Sequence, residues 1–220
     1  MTTTESAHDR PVYLNLAHHL EVTGLNQLWV ADITYIRLQH EFVYLAVLLD
    51  AFSRRVVGWA LERTLQARLA VRALEQAIAK RNPPAGLVHH SDRGIQYACA
   101  EYVAAWARHR MVPSMSRPGC PYDNARCESW MKTLKQEEIY ANDYRDQEHL
   151  TAHLEEFIDA YYNRLRLHSA LGYRSPAQFE AETASQPAAA LSFPRQGRSI
   201  DPIWKGSRSG AKPPLPSSSR

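Results

Sequence analysis

Runs of β-branched and aromatic residues in the first third of the chain predict three consecutive strands. Trp29–Ile36 and Val56–Leu61 are rich in such residues, and the continuous apolar run Phe42–Asp50 is typical of a strand that is covered on both faces. The connections between the three segments are short and polar. We therefore expect an antiparallel meander.

The period of the apolar positions then changes from that of strands to that of helices. One stripe at helical spacing ends before Asn82-Pro83-Pro84 and consists of Leu65, Leu69, Leu74 and Ile78. Leu87–His90 predicts a short strand, and Val112–Met115 predicts a fifth. The helix between these two strands is expected to have on its inner face Cys99, Tyr102, Val103, Trp106 and Arg110.

Two further helices are indicated in the second half of the chain. Asp123 or Asn124 is placed to cap the first, whose apolar stripe consists of Cys127, Trp130, Met131 and Leu134. A final long helix is predicted by Leu150, Leu154, Phe157, Ile158 and Tyr161. This order of strands and helices favours an α/β protein with three layers.

Composition divides the chain into three parts. Residues 1–25 have no clear period and are expected to form an arm or a short helix, and residues 26–182 form the predicted core. From Thr183 onward Ser, Pro, Gly and Ala dominate, and six Lys or Arg stand against one acid, Asp201. Residues 183–220 are therefore predicted to be a basic, largely disordered tail. Residues 1–182, with 20 basic and 22 acidic groups, are nearly neutral.

Several classes of function are disfavoured by composition. No apolar run approaches the length that spans a membrane, and residues 1–10 lack the apolar segment of a signal peptide, so a cytoplasmic protein is expected. The three cysteines have no CxxC spacing, which argues against a disulfide framework or a zinc ribbon. No Gly-rich phosphate loop is present, so nucleotide hydrolysis is not indicated.

Three carboxylates stand in distinctive settings and predict a metal site. Asp32 lies within a predicted core strand, Asp92 ends a strand at a Gly-containing turn, and Glu128 lies one turn into a predicted helix. A carboxylate in a core strand is costly unless it is paired or metal-bound. Three acids that converge from separate elements form an oxygen-only site that suits Mg²⁺ or Mn²⁺.

Other residues near these acids have plainer interpretations. His89 and His90 point to opposite faces of a strand and are expected to be structural. Ser91 lacks the glycine-flanked turn of a catalytic serine. Asp123 is expected to be a helix cap, and Asp50 a residue at the end of a strand.

The settings of the three acids, together with further stretches in a fixed order, resemble the catalytic core of bacterial (OrfB-type) insertion-sequence transposases, the DDE group that shares the retroviral-integrase core. The resemblance extends from about Asn26 to Phe179. Its further stretches are Val43–Val47, Asp50–Trp59, Lys135 seven residues after Glu128, Tyr162-Asn163, Arg166, His168-Ser169, Leu171–Tyr173 and Ser175-Pro176. It implies a ribonuclease-H-like α/β fold, with a mixed five-stranded sheet flanked by helices.

The resemblance also implies a function, that of a transposase which cleaves and transfers DNA strands with Mg²⁺ or Mn²⁺, two ions per site. By analogy Asp32 bridges both ions, while Asp92 and Glu128 each hold one. The expected partner is DNA, both element ends and target, on which the protein forms a homo-oligomer associated with the bacterial nucleoid. DNA contacts are expected at Lys132, Lys135, Asn163, Arg166 and His168.

Two alternatives stay open at the level of sequence. A degenerate element remnant with a DNA-binding or regulatory role would keep the resemblance without the activity. A metal-dependent nuclease without strand transfer would share all three acids. No helix-turn-helix pattern precedes Asn26, so we expect this chain by itself to bind DNA without sequence preference, with recognition supplied by a longer product or a partner.

Overall fold

The computed structural model describes residues 12–117 and 120–185, which form a five-stranded sheet between two layers of helices. The elements in chain order are β1 (Leu28–Arg37), β2 (Phe42–Asp50), β3 (Val56–Glu62), α1 (Ala67–Arg81), β4 (Val88–Ser91), α2 (Ala100–Arg108), β5 (Val112–Met115), α3 (Ala125–Leu134), α4 (Gln147–Glu155) and α5 (Pro176–Ser185). Two π-helical segments, Lys135–Ile139 and Glu156–Leu165, directly continue α3 and α4. The predicted α/β class is confirmed.

The sheet has the strand order β3-β2-β1-β4-β5. The first three strands form the predicted antiparallel meander, in which Asp32 lies opposite Val47 and Leu48 lies opposite Gly58. β4 pairs with the other edge of β1 in parallel, and β5 pairs with β4 in parallel. Parallel neighbours need long crossover connections, which contain α1 and α2 here. The carboxyl end of β4 consequently lies beside the middle of β1, next to Ala31 and Asp32.

Alternating side chains of β1 contribute to two hydrophobic cores, one on each face of the sheet. Leu28 and Val30 belong to the core that includes residues of α3 and α4. Trp29 and Ala31 belong to the core that includes residues of α1 and α2. A strand has a side-chain period of two, so the carboxylate of Asp32 projects on the face that α3 covers.

The prediction that Arg110 lies on the inner face of a helix is wrong. α2 ends at Arg108, and Arg110 is exposed with a φ of 52° in the turn before β5. Tyr102 and Trp106 are buried as predicted. Cys99 caps the helix instead of lying within it, because its sulfur accepts a hydrogen bond from the Tyr102 N–H at 3.3 Å.

A change of helical pitch exposes Tyr161, one of the residues from which this helix was predicted. α4 passes into the π-helical segment Glu156–Leu165. Its wider turns shift the inward-facing position by one residue. Tyr162 is therefore 3% exposed, whereas Tyr161 is 40% exposed. This helix is also not the last, since α5 follows it.

The predicted side-chain cap of α3 is absent. Asp123 instead binds Arg117, with its Oδ2 2.8 Å from the backbone nitrogen and its Oδ1 2.9 Å from Nη2. Asn124 occupies the N-cap position, but its side chain makes no hydrogen bond to the helix. Asp50 is the predicted strand-end residue, fully buried and bonded to backbone N–H groups.

The two predicted ends of the chain are only partly described. Ala17–His19 of the predicted arm forms a short 3₁₀-helix, and the backbone N–H of Leu16 donates to Ser114 Oγ at 2.9 Å. The predicted tail, residues 183–220, lies outside the described residues except for its first three positions, which end α5. Within the described ranges no helix combines the length and apolar character needed to cross a membrane.

Candidate active site

Asp32 and Asp92 lie at the same level of two adjacent parallel strands. Val30 of β1 pairs with His90 of β4, and each acid follows its member of this pair by two residues. Neighbouring strands are about 4.8 Å apart. The register of the sheet alone therefore brings the two carboxylates close together, although sixty positions separate them along the chain.

Each of these carboxylates is oriented by a backbone hydrogen bond. The Ile33 N–H donates to Asp32 Oδ1 at 2.8 Å, and the Gly94 N–H donates to Asp92 Oδ1 at 2.9 Å. A Cβ atom at Gly94 would lie 3.0 Å from Asp92 Oδ1. Glycine at this position thus allows the turn after β4 to close on the carboxylate.

Glu128 reaches the same region because the start of α3 is attached to β1 beside Asp32. The side-chain amide of Asn124 donates to the carbonyl oxygen of Ala31 at 3.0 Å. Glu128 follows one turn later on the exposed side of α3, while the adjacent Cys127 is fully buried and fixes the roll of the helix. The third acid therefore comes from an element that packs on the sheet next to the first.

An open cleft of about 410 Å³ lies between β1 and the helix formed by α3 and its π-helical extension. Asp32 and Glu128 both line this cleft, and Asp92 does not. Its wall is completed by Ile33, Thr34, Met131, Lys132, Lys135, Gln136 and Tyr140. Acids and lysines therefore share one concave surface, which suits a ligand that carries both cations and phosphates.

Electrostatic effects connect all three acids. Burial, together with the negative charges of Asp92 and Glu128, raises the pKa of Asp32 to about 7. Burial also raises the pKa of the Cys127 thiol, and the charges of the same three acids add to that effect. The three carboxylates thus lie close enough for their charges to interact, and positive charge placed among them would relieve their repulsion.

The donor chemistry of this region fits a divalent cation. Carboxylates are hard oxygen ligands of the kind that Mg²⁺ and Mn²⁺ prefer. In the described part of the chain, no three His, Cys, Asp or Glu side chains are close enough together to enclose one metal ion. The acids border an open site, and Mg²⁺ commonly binds through one or two carboxylates together with water and substrate phosphates.

Two of the predicted DNA contacts, Lys132 and Lys135, line the cleft with the acids. Lys132 is exposed, whereas Lys135 is partly buried with its Nζ 5.9 Å from the centre of the Tyr35 ring. The positive charge of Lys135 acts to lower the pKa of Asp32. Both lysines are therefore placed to meet a phosphate that approaches the acids.

His89 and His90 are fully buried and have structural partners. His89 Nε2 is 2.8 Å from the hydroxyl of Tyr102. His90 lies between two serine hydroxyls, with Nδ1 2.8 Å from Ser114 Oγ and Nε2 3.0 Å from Ser116 Oγ. Burial lowers the pKa of His89 to about 3 and that of His90 to about 4. Both rings are consequently neutral at pH 7.

The prediction that Asn163 contacts DNA does not fit its surroundings. This residue is 2% exposed. Its Oδ1 accepts from the Val56 N–H and its Nδ2 donates to the Val56 carbonyl, both at 3.0 Å. The amide therefore completes the backbone pairing at the start of β3, and both of its polar atoms already have a backbone partner.

Arg166 and His168 lie away from the acids, at the wall of a second cavity. Arg166 forms a two-pronged ion pair with Glu137, with nitrogen–oxygen distances of 2.8 and 2.7 Å. His168 is 7% exposed and packs edge-on against Tyr162, with ring centres 4.9 Å apart. Among the predicted contacts, these two residues thus form a group separate from Lys132 and Lys135.

Arg54 and Arg126 line the same second cavity and were not predicted as site residues. Arg54 lies inside Asp50–Trp59, a stretch that carries the family resemblance, but nothing in the sequence links it to Arg126. Arg54 also has a φ of 60°. Positive φ is uncommon for residues other than glycine and marks positions worth a functional hypothesis.

Two family models, both described as integrase core domain, match residues 23–121 and 109–176. Transposase InsF for insertion sequence IS3A of Escherichia coli (strain K12) is 42% identical over 175 residues, which cover 79% of this chain and 61% of InsF. The insertion element IS600 uncharacterized 31 kDa protein of Shigella sonnei is 40% identical over 178 residues, 80% of this chain and 65% of the relative. The chain thus spans less than two thirds of these relatives.

Solved structures with the same fold include retroviral integrases. The simian T-cell lymphotropic virus intasome in complex with PP2A regulatory subunit B56 gamma matches with a TM-score of 0.58 at 19% identity, over 93% of this chain and 67% of that chain. The HTLV-2 integrase catalytic core domain in complex with magnesium (trimeric form) matches with a TM-score of 0.53 at 17% identity, over 70% and 96%. The ribonuclease-H-like integrase core fold is confirmed.

Proposed function

This chain belongs to the integrase core domain family, and we propose that it is the catalytic part of an insertion-sequence transposase, a polynucleotidyl transferase that cleaves and joins DNA strands. The approach of Asp32, Asp92 and Glu128 to one another from three separate elements, with Asp32 and Glu128 lining one cleft, carries this proposal. The similarity to a curated insertion-sequence transposase supports DNA as the substrate.

The proposed reaction has two steps at the same site. In the first, a water oxygen attacks a phosphodiester at the end of the element. The bond between phosphorus and the 3′ oxygen breaks, and that oxygen takes up a proton to become a free 3′-hydroxyl. In the second, this hydroxyl attacks a phosphodiester of the target, and the bond to the target's own 3′ oxygen breaks. One phosphodiester replaces another in this step, so it needs no external energy source.

Asp32, Asp92 and Glu128 are the residues that would hold Mg²⁺ or Mn²⁺, and we propose two ions per site. Bound divalent cations supply Lewis-acid stabilisation of the attacking and leaving oxygens. Asp32 would help to hold the cations, because the charges of Asp92 on the neighbouring strand and Glu128 on α3 both act on its carboxyl group. The HTLV-2 integrase core, which has the same fold, is described in complex with magnesium.

The lysines of the cleft would position the DNA rather than take part in the chemistry. Lys132 and Lys135 each supply a positive charge beside the acids, where a phosphate has to pass. Transposition joins element ends to a target, so we propose that the protein acts as a homo-oligomer on DNA. The intasome with the same fold is consistent with that arrangement.

A cleavage and strand-joining assay on DNA of the element's end, with Mg²⁺ or Mn²⁺, tests the proposal. Asp32→Asn, Asp92→Asn and Glu128→Gln should each slow cleavage by at least about 1000-fold, roughly 4 kcal/mol in barrier height. Circular dichroism should show an unchanged fold. Glu101→Gln, at an exposed glutamate of α2, is the matched control and should keep full activity.

The outcomes separate the proposal from its alternatives. Full cleavage by any one of the three acid variants would remove that residue from the site. Cleavage without joining by the unmodified chain would identify a metal-dependent nuclease. DNA binding without cleavage would identify a remnant that has lost its activity.

A further inference from the structure

A second cavity, of about 380 Å³, lies against a different face of α3 from the one that lines the cleft with the acids. An α-helix has about 3.6 residues per turn, so Arg126, Ser129 and Thr133 form one stripe, and Glu128 and Lys132 form another about 100° away around the helix. The first stripe lines this second cavity, and the second stripe lines the acidic cleft. The helix therefore separates two concave surfaces of different charge.

Three arginines from separate elements give the second cavity its positive charge, and we call it the basic pocket. Arg54 comes from the turn between β2 and β3, Arg126 from the first turn of α3, and Arg166 from the residue that follows the π-helical segment. Arg166 is paired with Glu137. Within residues 12–117 and 120–185, Arg54 and Arg126 form no ion pair.

The carboxylate in the wall of the basic pocket does not neutralise these arginines. Asp50 is fully buried and accepts hydrogen bonds from the N–H groups of Asn26 at 2.7 Å, Phe52 at 2.9 Å and Ser53 at 3.1 Å. Its nearest guanidinium partner is Arg81, at 3.7 Å. The charge of Asp50 is thus already compensated by these backbone N–H groups and by Arg81.

The cations of the basic pocket repel one another. Desolvation lowers the pKa of Arg126, and the charge of Arg54 lowers it further. Desolvation together with the charges of Arg166 and Arg54 lowers the pKa of His168 to about 4. Cations held together in this way raise the local positive potential, which an anion would neutralise.

Two buried donors in the same wall lack hydrogen-bond partners. Trp130 Nε1 and His168 Nε2 make no hydrogen bond within the described residues, although the two residues are only 1% and 7% exposed. Arg166 Nη1 lies 3.4 Å from His168 Nδ1 and donates to it, so the ring proton of the neutral imidazole is on Nε2. An unsatisfied buried donor costs about 1 to 3 kcal/mol, and both would gain from an anionic acceptor.

We propose that the basic pocket binds a phosphate group of the DNA backbone, so that the protein holds DNA on two surfaces. The acidic cleft would take the strand that reacts, and the basic pocket a second segment of DNA. Guanidinium groups match phosphate oxygens with two parallel hydrogen bonds, which favours phosphate as the ligand. The choice of DNA as its source rests on the proposed function.

The test measures DNA binding by the full chain against salt concentration, using a labelled duplex of scrambled sequence. Each phosphate contact contributes about 0.9 to the slope of log affinity against log salt. Arg54→Ala and Arg126→Ala should each lower that slope by about this amount and weaken binding. Arg108→Ala, at an exposed arginine of α2 on the other face of the sheet, is the matched control and should change neither.

A gain-of-affinity variant distinguishes binding from a structural role. Glu137→Gln would release Arg166 from its ion pair and add a free guanidinium to the basic pocket. It should strengthen DNA binding and steepen the slope, which a merely destabilising change would not do.

A second measurement uses inorganic phosphate alone as the ligand. Phosphate should shift the indole N–H signal of Trp130 in an NMR spectrum, and the loss of that signal in Trp130→Phe assigns it.

Unchanged slopes in both arginine variants would overturn the proposal. A Trp130 shift with inorganic phosphate together with unchanged DNA slopes would overturn DNA as the source and leave a small phosphate compound as the ligand. Failure of the proposed function appears differently. A chain that binds DNA with the expected slopes but cleaves none supports the basic pocket and contradicts the transposase activity.

Discussion

At the level of single residues, the charge of Lys135 acts on two neighbours, Tyr35 and Asp32. Its ammonium group lies over the Tyr35 ring, a contact worth about 0.5 to 1 kcal/mol at an exposed site. The same charge acts to lower the pKa of Asp32. An ammonium can neutralise a phosphate but cannot bind a metal ion. We therefore assign Lys135 to DNA positioning and the adjacent acids to metal binding.

Replacing Lys135 should separate these two roles. Lys135→Ala should weaken DNA binding and lower the salt dependence by roughly one charge, because one phosphate contact is lost. The affinity for Mn²⁺, measured by calorimetry, should stay the same. Lys80→Ala, at an exposed lysine in the last turn of α1, is the control. Lost Mn²⁺ affinity with unchanged DNA binding would contradict the assignment.

Single residues differ in how far their surroundings follow from the sequence. Asp32 was predictable as a candidate because an acid within an apolar strand is costly unless it has a partner. Asn163 was predicted to contact DNA because of the motif in which it lies. A motif gives the residue type but not the direction of the side chain, and in the structure this side chain points inward to the backbone of Val56. Arg54 and Arg126 meet only through tertiary packing, so their spacing along the chain carried no sign of a shared cavity.

At the level of elements, one buried carboxylate ties α5 to the rest of the fold. Glu180 is 2.8 Å from Arg81 Nη1, 2.8 Å from Arg55 Nη1 and 2.7 Å from Ser53 Oγ. Burial acts to raise the pKa of Glu180, but the hydrogen bonds from Arg81 and Ser53 outweigh it, so the pKa is below its usual range. The ionised form is therefore the one that holds the helix.

Glu180→Gln should lower the free energy of unfolding by about 3 kcal/mol at pH 7, because it removes the charge that pairs with the partly buried guanidinium groups of Arg81 and Arg55. A carboxyl group whose pKa is lowered by folding stabilises the protein above its unfolded pKa, about 4.3 for Glu. That stabilisation disappears as the pH falls through the folded pKa. Urea unfolding should thus show a difference between the two proteins that is complete at pH 6 and shrinks below about pH 4.

The matched control for this prediction is Glu182→Gln on the same helix. Glu182 forms an ion pair with Arg174 at the surface, and such pairs contribute at most about 1 kcal/mol. Its effect on unfolding should be small at every pH. A Glu180→Gln effect that stays constant between pH 3 and pH 7 would show that the carboxylate charge is not what attaches α5.

The contact between β3 and α1 depends on a single glycine. A Cβ atom at Gly58 would lie 2.3 Å from the carbonyl oxygen of Ala73 and 2.7 Å from Ala77 Cβ. Gly58→Ala should therefore force the helix away from the sheet and cost about 1 to 3 kcal/mol in thermal or urea unfolding. Gly24→Ala is the control, since its closest neighbour is the movable end of the Gln27 side chain at 3.2 Å. Equal stability of the two variants would contradict this packing argument.

Elements were predictable where side-chain period alone decides them. The meander follows from its runs of β-branched and apolar residues, and α1 follows from a period of 3.6. Their predicted positions agree with the structure, except that Leu65 lies before the start of α1. The change from α- to π-helical pitch after Glu155 was not predictable, because the apolar residues on either side of it fit both periods. The two pitches differ visibly only at Tyr161, which the wider turns of the π-helical segment leave exposed. α5 was missed as well, because a buried ion pair and not an apolar stripe holds it.

At the level of the whole molecule, the placement of charge matters more than its sum. The chain has a formal net charge of +3, yet residues 1–182 carry 20 basic and 22 acidic groups. The structure puts acids and lysines on one side of α3 and arginines on the other. A nearly neutral domain can therefore present two surfaces for a polyanion, which overall composition does not reveal.

The kind of DNA binding follows from which groups face these surfaces. Lysine and arginine side chains contact phosphates, and phosphate contacts give affinity without sequence information. Reading a sequence requires side chains that reach base edges from a helix or ribbon placed in a groove. We therefore expect the 220-residue chain to bind DNA with a Kd of roughly 10⁻⁴ to 10⁻⁶ M at physiological salt, typical of non-specific binding. A competition experiment between element-end DNA and scrambled DNA of equal length measures this. A preference above roughly a thousandfold, the lower range of specific binders, would show that a recognition surface exists beyond the two cation-lined cavities.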